Sequence, residues 1–234
     1  MDMRRRRNHR HAILNLVEEE IKNQKQKQDG NEADIALWKG KNSCFRRKFI
    51  TKETWEQIRT TKPTMEGYKE IWFTHATPRY AFLTWLVIKD RIATGEKMLK
   101  WNQNVNSSCV FCNHPVETRN HLFFSCEYSK NVWKNLVIGL LSDKFSENWQ
   151  EIMKIFKGNE IDKTRGFLLK YVFQNSIHSI WNERNKRRHG ENPSQPERLI
   201  KLIDKNVRNL LNTMSGNGAS KYKDGIKDWF ASRI

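Results

Sequence analysis

Four side chains with metal-ligand chemistry fall within 18 consecutive positions, in the pattern Cys109-x2-Cys112-x8-His121-x4-Cys126. The 234-residue chain has one other cysteine, Cys44. A two-residue gap between thiols is the spacing of a knuckle, a tight turn that aims two sulfurs at one ion. His121 and Cys126, from a short loop and a helix start, are expected to close a tetrahedron with them. Three soft sulfurs and one imidazole suit a single Zn²⁺. His114 competes for the fourth position, but it sits two residues beyond Cys112 and beside Pro115, so His121 is the expected ligand. Four protein ligands leave no open coordination position, and the ion is expected to be structural rather than to activate water. Cys44 reads as a small core residue, and the sequence leaves open that it replaces one of the four.

A segment of this length cannot bury a core of its own, so its neighbours must supply one. Their patterning is almost wholly helical. Ile13, Leu14, Val17 and Ile21 mark an amphipathic helix over about 12–27, and Thr51 is expected to cap a short helix carrying Trp55 and Ile58. Thr77-Pro78 is a strong start signal for an apolar helix through Ile88, and Thr94 begins another. Beyond the cysteines, helices are expected from near Glu127, after Ser146, from Thr164 to about Arg187, and from Pro196 to Met214. Leu37 to Arg47 reads as a loop or short strand with Cys44 and Phe45 turned inward. The expected fold is therefore mainly α, a small zinc-stabilised helical domain with flanking helices. Its expected divisions are a basic arm and amphipathic helix over 1–36, the zinc-binding domain over 37–190, and a linker, C-terminal helix and tail over 191–234.

Charge narrows the partner. Lys and Arg number 43 against 26 Asp and Glu, a formal net charge of +17. Such an imbalance repels itself unless a polyanion is near, which favours nucleic acid over a small anion. The expected phosphate contacts are Arg4, Arg5, Arg6, Arg7 and Arg10 in the arm, then Arg46, Arg47 and Lys48, then Arg184, Lys186, Arg187 and Arg188 at a helix end expected to stay solvated. The Arg4–Arg7 run also reads as a nuclear-import signal, which places the protein in the nucleus. Trp85, Trp133, Trp149 and Trp181 have helical spacing and apolar neighbours, so they belong to the core; any exposed aromatic would stack on unpaired bases. RNA or single-stranded DNA is thus the expected partner ahead of duplex DNA, with weak sequence preference and strong salt dependence. The alternative is a scaffold whose helices at 12–27 and 197–214 offer apolar stripes to proteins. No apolar run reaches the ~18 residues of a membrane span, so no membrane partner is expected. Asp90, Glu117 and His75 carry acid–base groups, but no catalytic arrangement surrounds them, and an enzyme is not expected.

A longer pattern joins these pieces. Trp72-Phe73-x5-Arg79-x-Ala81-Phe82-x2-Trp85-Leu86-x3-Asp90-Arg91-x2-Thr94, then Glu117-Thr118-x2-His121-Leu122-Phe123-Phe124-x-Cys126 and Trp133, resemble the zinc-binding domain that follows reverse transcriptase in plant LINE-type retrotransposons. Phe49-x-Thr51-Lys52-x2-Trp55 and Ile180-Trp181-x2-Arg184-Asn185-x-Arg187-Arg188 resemble its flanks, so the likeness covers about 45–190. The Tyr-x-Asp-Asp polymerase motif and the spaced acidic set of a ribonuclease H are missing from the sequence. The resemblance therefore implies a non-catalytic, retrotransposon-derived domain detached from its polymerase, with a role in engaging RNA or target DNA.

Overall fold

The structure, a computed structural model, describes residues 12–27, 35–158, 161–216 and 224–233. Its contacts separate into two units, 1–63 and 64–234. The expected boundaries at 36/37 and 190/191 fall inside the first and second units respectively, and the described residues 196–216 and 224–233 pack within the second.

In the first unit, α1 (Ala12–Lys27) precedes a two-stranded antiparallel hairpin, β1 (Trp38–Lys39) and β2 (Phe45–Arg46), and then α2 (Thr51–Ile58). Trp38 lies opposite Arg46 and Lys39 opposite Phe45. Asn42 and Ser43 turn the hairpin with φ of 57° and 58°. None of the described residues before Ile71 is buried. Ile13, Leu14, Val17 and Ile21 are all exposed, as are Trp55 and Ile58. Cys44 and Phe45 are exposed too, against the expectation of an inward pair and a core thiol. Two-residue strands and one short helix enclose too little volume to hide either side chain. Thr51 is the first residue of α2 rather than its cap, and Ile50 in the N-cap position makes no side-chain hydrogen bond.

The second unit is built around one helix. After α3 (Tyr68–Ile71), α4 (Pro78–Ile88) and α5 (Gly95–Trp101) comes the cysteine segment; α6 (Glu127–Leu141) and α7 (Trp149–Lys157) follow it, then α8 (Lys163–Arg188), α9 (Pro196–Gly216) and α10 (Gly225–Ala231). Asp162 caps α8, accepting from the Thr164 and Arg165 amides at 2.9 and 3.0 Å. Its far end is a Schellman turn: Gly190, at φ 81°, donates to Arg187 O, and Glu191 N donates to Lys186 O. Apolar residues occur all round the middle of α8, which makes it a central rather than a surface helix. It touches α4, α6, α9 and α10. Phe173 gathers the core aromatics, with Phe156 at 4.7 Å, Phe124 stacked at 5.7 Å, Trp149 at 5.7 Å and Trp133 at 6.0 Å. The α7 cap is Asn148, which accepts from Gln150 N and Glu151 N, not Ser146.

The C-terminal helices are part of this core. Leu199, Ile203, Val207, Leu211 and Met214 of α9 are buried at three- and four-residue steps, so this stripe is already covered and is not offered to another protein. Fully buried Trp229 of α10 donates its indole N–H to Asp204 of α9 at 2.8 Å. Arg233 then donates to Asn135 O on α6 at 2.7 Å. Here the chain passes so close to α6 that a Cβ on Gly139 would lie 2.1 Å from Ser232 O. Gly139→Ala should therefore lower the thermal midpoint, although Gly to Ala inside a helix ordinarily stabilises by ~1 kcal/mol. Gly166→Ala on α8, where a Cβ meets nothing within 4 Å, should raise it. Circular-dichroism melts of the two variants check the opposite signs.

Candidate metal centre

The knuckle forms because its backbone closes on itself. Asn113 N donates to Cys109 O at 2.8 Å and Cys109 N to His114 O at 2.9 Å, with Asn113 at φ 60° between them. Asparagine tolerates that left-handed conformation better than most residues. The second half of the site uses a wider turn. Cys126 N donates to His121 O at 2.8 Å, an i to i+5 bond, and residues His121–Ser125 make one π-helical turn. In an ordinary α-helix, positions five apart point about 140° away from each other. The π turn instead stacks them one turn apart. Thr118 prepares this turn, its hydroxyl accepting from His121 N at 3.1 Å.

These turns bring the four side chains together. One ligand atom from each of Cys109, Cys112, His121 and Cys126 lies within 4.8 Å of the others. The Cys109 and Cys126 sulfurs are 3.8 Å apart, and Cys112 Sγ is 3.2 Å from His121 Nε2. A tetrahedron with Zn–S bonds of ~2.3 Å has S···S edges of ~3.8 Å, so the donor set fits the ion in chemistry and in size. His114 stands outside the set. Its Nδ1 faces the backbone of Val116, and its ring stacks on that of His121 at 4.5 Å. Cys109 and Cys126 are buried, His121 half-buried and Cys112 exposed.

Two buried thiols this close do not ionise together. The hydrogen bond from Cys126, aided by the Phe111 and Cys112 amides, holds the Cys109 thiol well below its usual range. The Cys109 partner and burial push Cys126 far up. A divalent cation removes this conflict by stabilising both thiolates, and its binding must displace the Cys126 proton.

Residues 49–133 match the family described as zinc-binding in reverse transcriptase. This segment is a zinc-binding domain of that family. No curated protein and no solved structure matches the chain. The zinc-binding domain is not a catalytic one, in keeping with the sequence reading.

What holds the metal segment to the helices was missed by the sequence reading. Glu117, fully buried, accepts from Arg184 Nη2 at 2.7 Å and Nε at 3.1 Å, and from Gly95 N at the start of α5 at 3.0 Å. The Glu117 carbonyl accepts from Glu96 N. Arg184 also donates to Ala93 O. Gly95 is required there, since a Cβ would lie 2.1 Å from Ser107 O. A second strut runs from the knuckle residue Phe111, stacked on Tyr128 at 4.4 Å, to the Arg187 guanidinium, which lies over both rings at 4.8 and 4.6 Å. Arg187 further binds Glu183 and Ser194 O, and Arg188 donates to Asn106 O and Ser108 O.

These contacts correct the expected phosphate set. Arg184 is 3% exposed and lies inside an ion pair, so it does not reach a phosphate. Arg187 and Arg188 are mostly covered, Arg187 serving Glu183 and the Ser194 carbonyl and Arg188 the backbone just before Cys109; the helix end is not solvated as expected. A helix with apolar residues on all sides sinks its basic end with it, and the arginines find partners there. Lys186 alone of the four is exposed, 3.7 Å from Glu191. Arg46, Arg47 and Lys48 are exposed in the first unit, Arg46 pairing with Glu53 at 3.2 Å. Arg4, Arg5, Arg6, Arg7 and Arg10 lie outside the described residues. Among the tryptophans, Trp133 and Trp149 are buried, Trp85 and Trp181 half-buried, and Trp38, Trp55, Trp72 and Trp101 exposed. No helix among the described residues is long and apolar enough to cross a membrane.

Proposed function

We propose that the protein is a non-catalytic, retrotransposon-derived nucleic-acid-binding module of the nucleus. One structural Zn²⁺ organises a helical body that meets RNA or single-stranded DNA mainly through phosphates. The observation that carries this reading is where the charge lies. Residues 64–234, the unit that holds the metal cluster, carry 27 Lys and Arg against 17 Asp and Glu, so ten of the 17 excess positive charges lie on that unit rather than on residues 1–63. A scaffold with basic appendages would show the reverse. Four exposed tryptophans add faces on which unpaired bases stack, a contact that duplexes deny. The arm at Arg4–Arg7 and Arg10 adds phosphate contacts or directs nuclear entry. The exposed apolar stripe of α1 supports protein partners as a second activity of the same chain.

A salt titration of the metal-loaded protein against single-stranded RNA, duplex RNA and duplex DNA tests the reading. Binding should be measurable near ~50 mM salt, fall steeply as salt rises, and favour single strands. Replacing Arg46, Arg47 and Lys48 with Gln should reduce the logarithmic salt slope by up to about 2 on single strands. Absence of binding to all three polymers at low salt would overturn the proposal and put the scaffold in front.

A further inference from the structure

Between α3, α7 and the first turns of α8, the second unit holds an open cavity of about 690 Å³. That volume lies in the range of ligand sites, roughly 300–1,000 Å³. Its depth is aromatic, with Phe156 and Phe167 buried and Phe73 set edge-on to Phe167 at 5.8 Å. Trp72 stands at its border, 47% exposed, where the C-terminal turn of α3 leaves it uncovered. Lys69, Lys157, Lys163 and Lys170 surround it, and Glu70 is the one carboxylate among its described lining residues. Lys157 is held by Glu66 at 2.8 Å, which leaves Lys69, Lys163 and Lys170 as the cations around the opening.

Gly166 lines the same cavity. It sits in the first full turn of α8, where glycine is ~1 kcal/mol worse than alanine, and no neighbour lies within 4 Å of where its Cβ would be. Nothing in the packing of α8 calls for glycine there; the bare backbone leaves the floor of the cavity open.

An aromatic floor with an exposed indole at the edge and separate cations around the mouth matches one chemical object, a flat uncharged ring between two anions. We infer that this groove seats an unpaired nucleobase of a single-stranded nucleic acid, stacked against Trp72, with Lys69, Lys163 and Lys170 on the flanking phosphates. The inference rests on the nucleic-acid reading above and assigns it a place. Duplexes are excluded by geometry, because a paired base cannot enter a concave site. The apolar floor has few groups to read base edges, so discrimination among bases is weak.

The test uses the metal-loaded full chain and two labelled probes of about 12 nucleotides, an oligouridylate and an abasic strand of equal length and charge. Fluorescence anisotropy should show the oligouridylate bound about tenfold more tightly than the abasic strand. Trp72→Ala and Gly166→Leu should each remove that advantage while leaving abasic binding unchanged. Gly166→Leu should melt no lower than the parent, since leucine is the better helix former, so its loss of binding is not a loss of fold. Equal binding of the two probes by the parent protein, or parental affinity in both variants, overturns the groove while the general nucleic-acid reading stands. Failure of the parent to bind either probe overturns both. An acidic peptide bearing one tryptophan that binds the groove more tightly than the oligouridylate also overturns it.

Discussion

Cys126→Ser should lower the thermal midpoint by about 10 °C or more and abolish stoichiometric retention of Zn²⁺, an effect that Cys44, outside the cluster, cannot match. Cys126 is buried at the start of α6, and Phe123 and Phe124, both fully buried, lie three and two residues before it. When the ion has three donors, the π turn that presents His121 and Cys126 loses its anchor. Phe124 then loses its fixed place against Phe173, Trp133 and Trp149. The loss is therefore felt in the core and not only at the site. Near-ultraviolet circular dichroism should collapse with far-ultraviolet helicity partly kept, and a chelator should produce the same change in the parent. Cys44→Ser, at an exposed position of the first unit, should leave both the midpoint and the bound metal unchanged. An unaltered melt after verified metal removal would refute the coupling of metal to fold.

Glu117→Gln should destabilise the protein by about 3–5 kcal/mol, although it changes a single side chain remote from any surface. The substitution removes a charge-assisted, two-pronged acceptor and leaves Arg184, 3% exposed, as an uncompensated buried cation. It also weakens the hydrogen bond that the Gly95 amide makes at the start of α5. Arg184→Met should also be costly, because it leaves the buried carboxylate with Arg188, at 4.0 Å, as its nearest cation. The double variant should be less destabilised than the sum of the singles, since neither charge is then left alone. Urea unfolding of the four proteins measures this coupling. Additive effects would show that the pair does not tie the zinc segment to α8. Under the proposed function the expected outcome also separates Arg184 from the exposed lysines: its loss would act through stability, theirs through the salt slope of binding.

Which features were legible follows from their range along the chain. The metal cluster was readable because its ligands lie within 18 positions, where backbone geometry alone limits how far apart they can be. The helices were readable because caps, proline at the first turn and 3.6-residue spacing are local signals. Thr77-Pro78 sets the start of α4 and Gly190 the end of α8, whereas the Asp162 cap of α8 lies two residues before the start expected at Thr164 and was missed. The His121-x4-Cys126 spacing itself carried the π turn, since five residues do not fit one α turn. Its meaning emerged only once both side chains had to face one ion.

By itself, then, the sequence determined the helical class, the candidate four-residue cluster, the ends of most helices and the excess of positive charge. Tertiary structure decided which charges are free. Arg184, Arg187, Arg188 and Lys186 look alike in a basic run, yet three of them are partnered by Glu117, Glu183 and backbone carbonyls as many as 91 residues away. It also decided that α9 and α10 complete the core, that Cys44 and α1 lie outside one, and that Trp72 borders a cavity while Trp133 fills a centre. Local chemistry decides whether a segment is a helix, but the burial of a side chain depends on what distant segments bring to it. Partners separated by tens of residues leave no periodic trace that a single sequence can display.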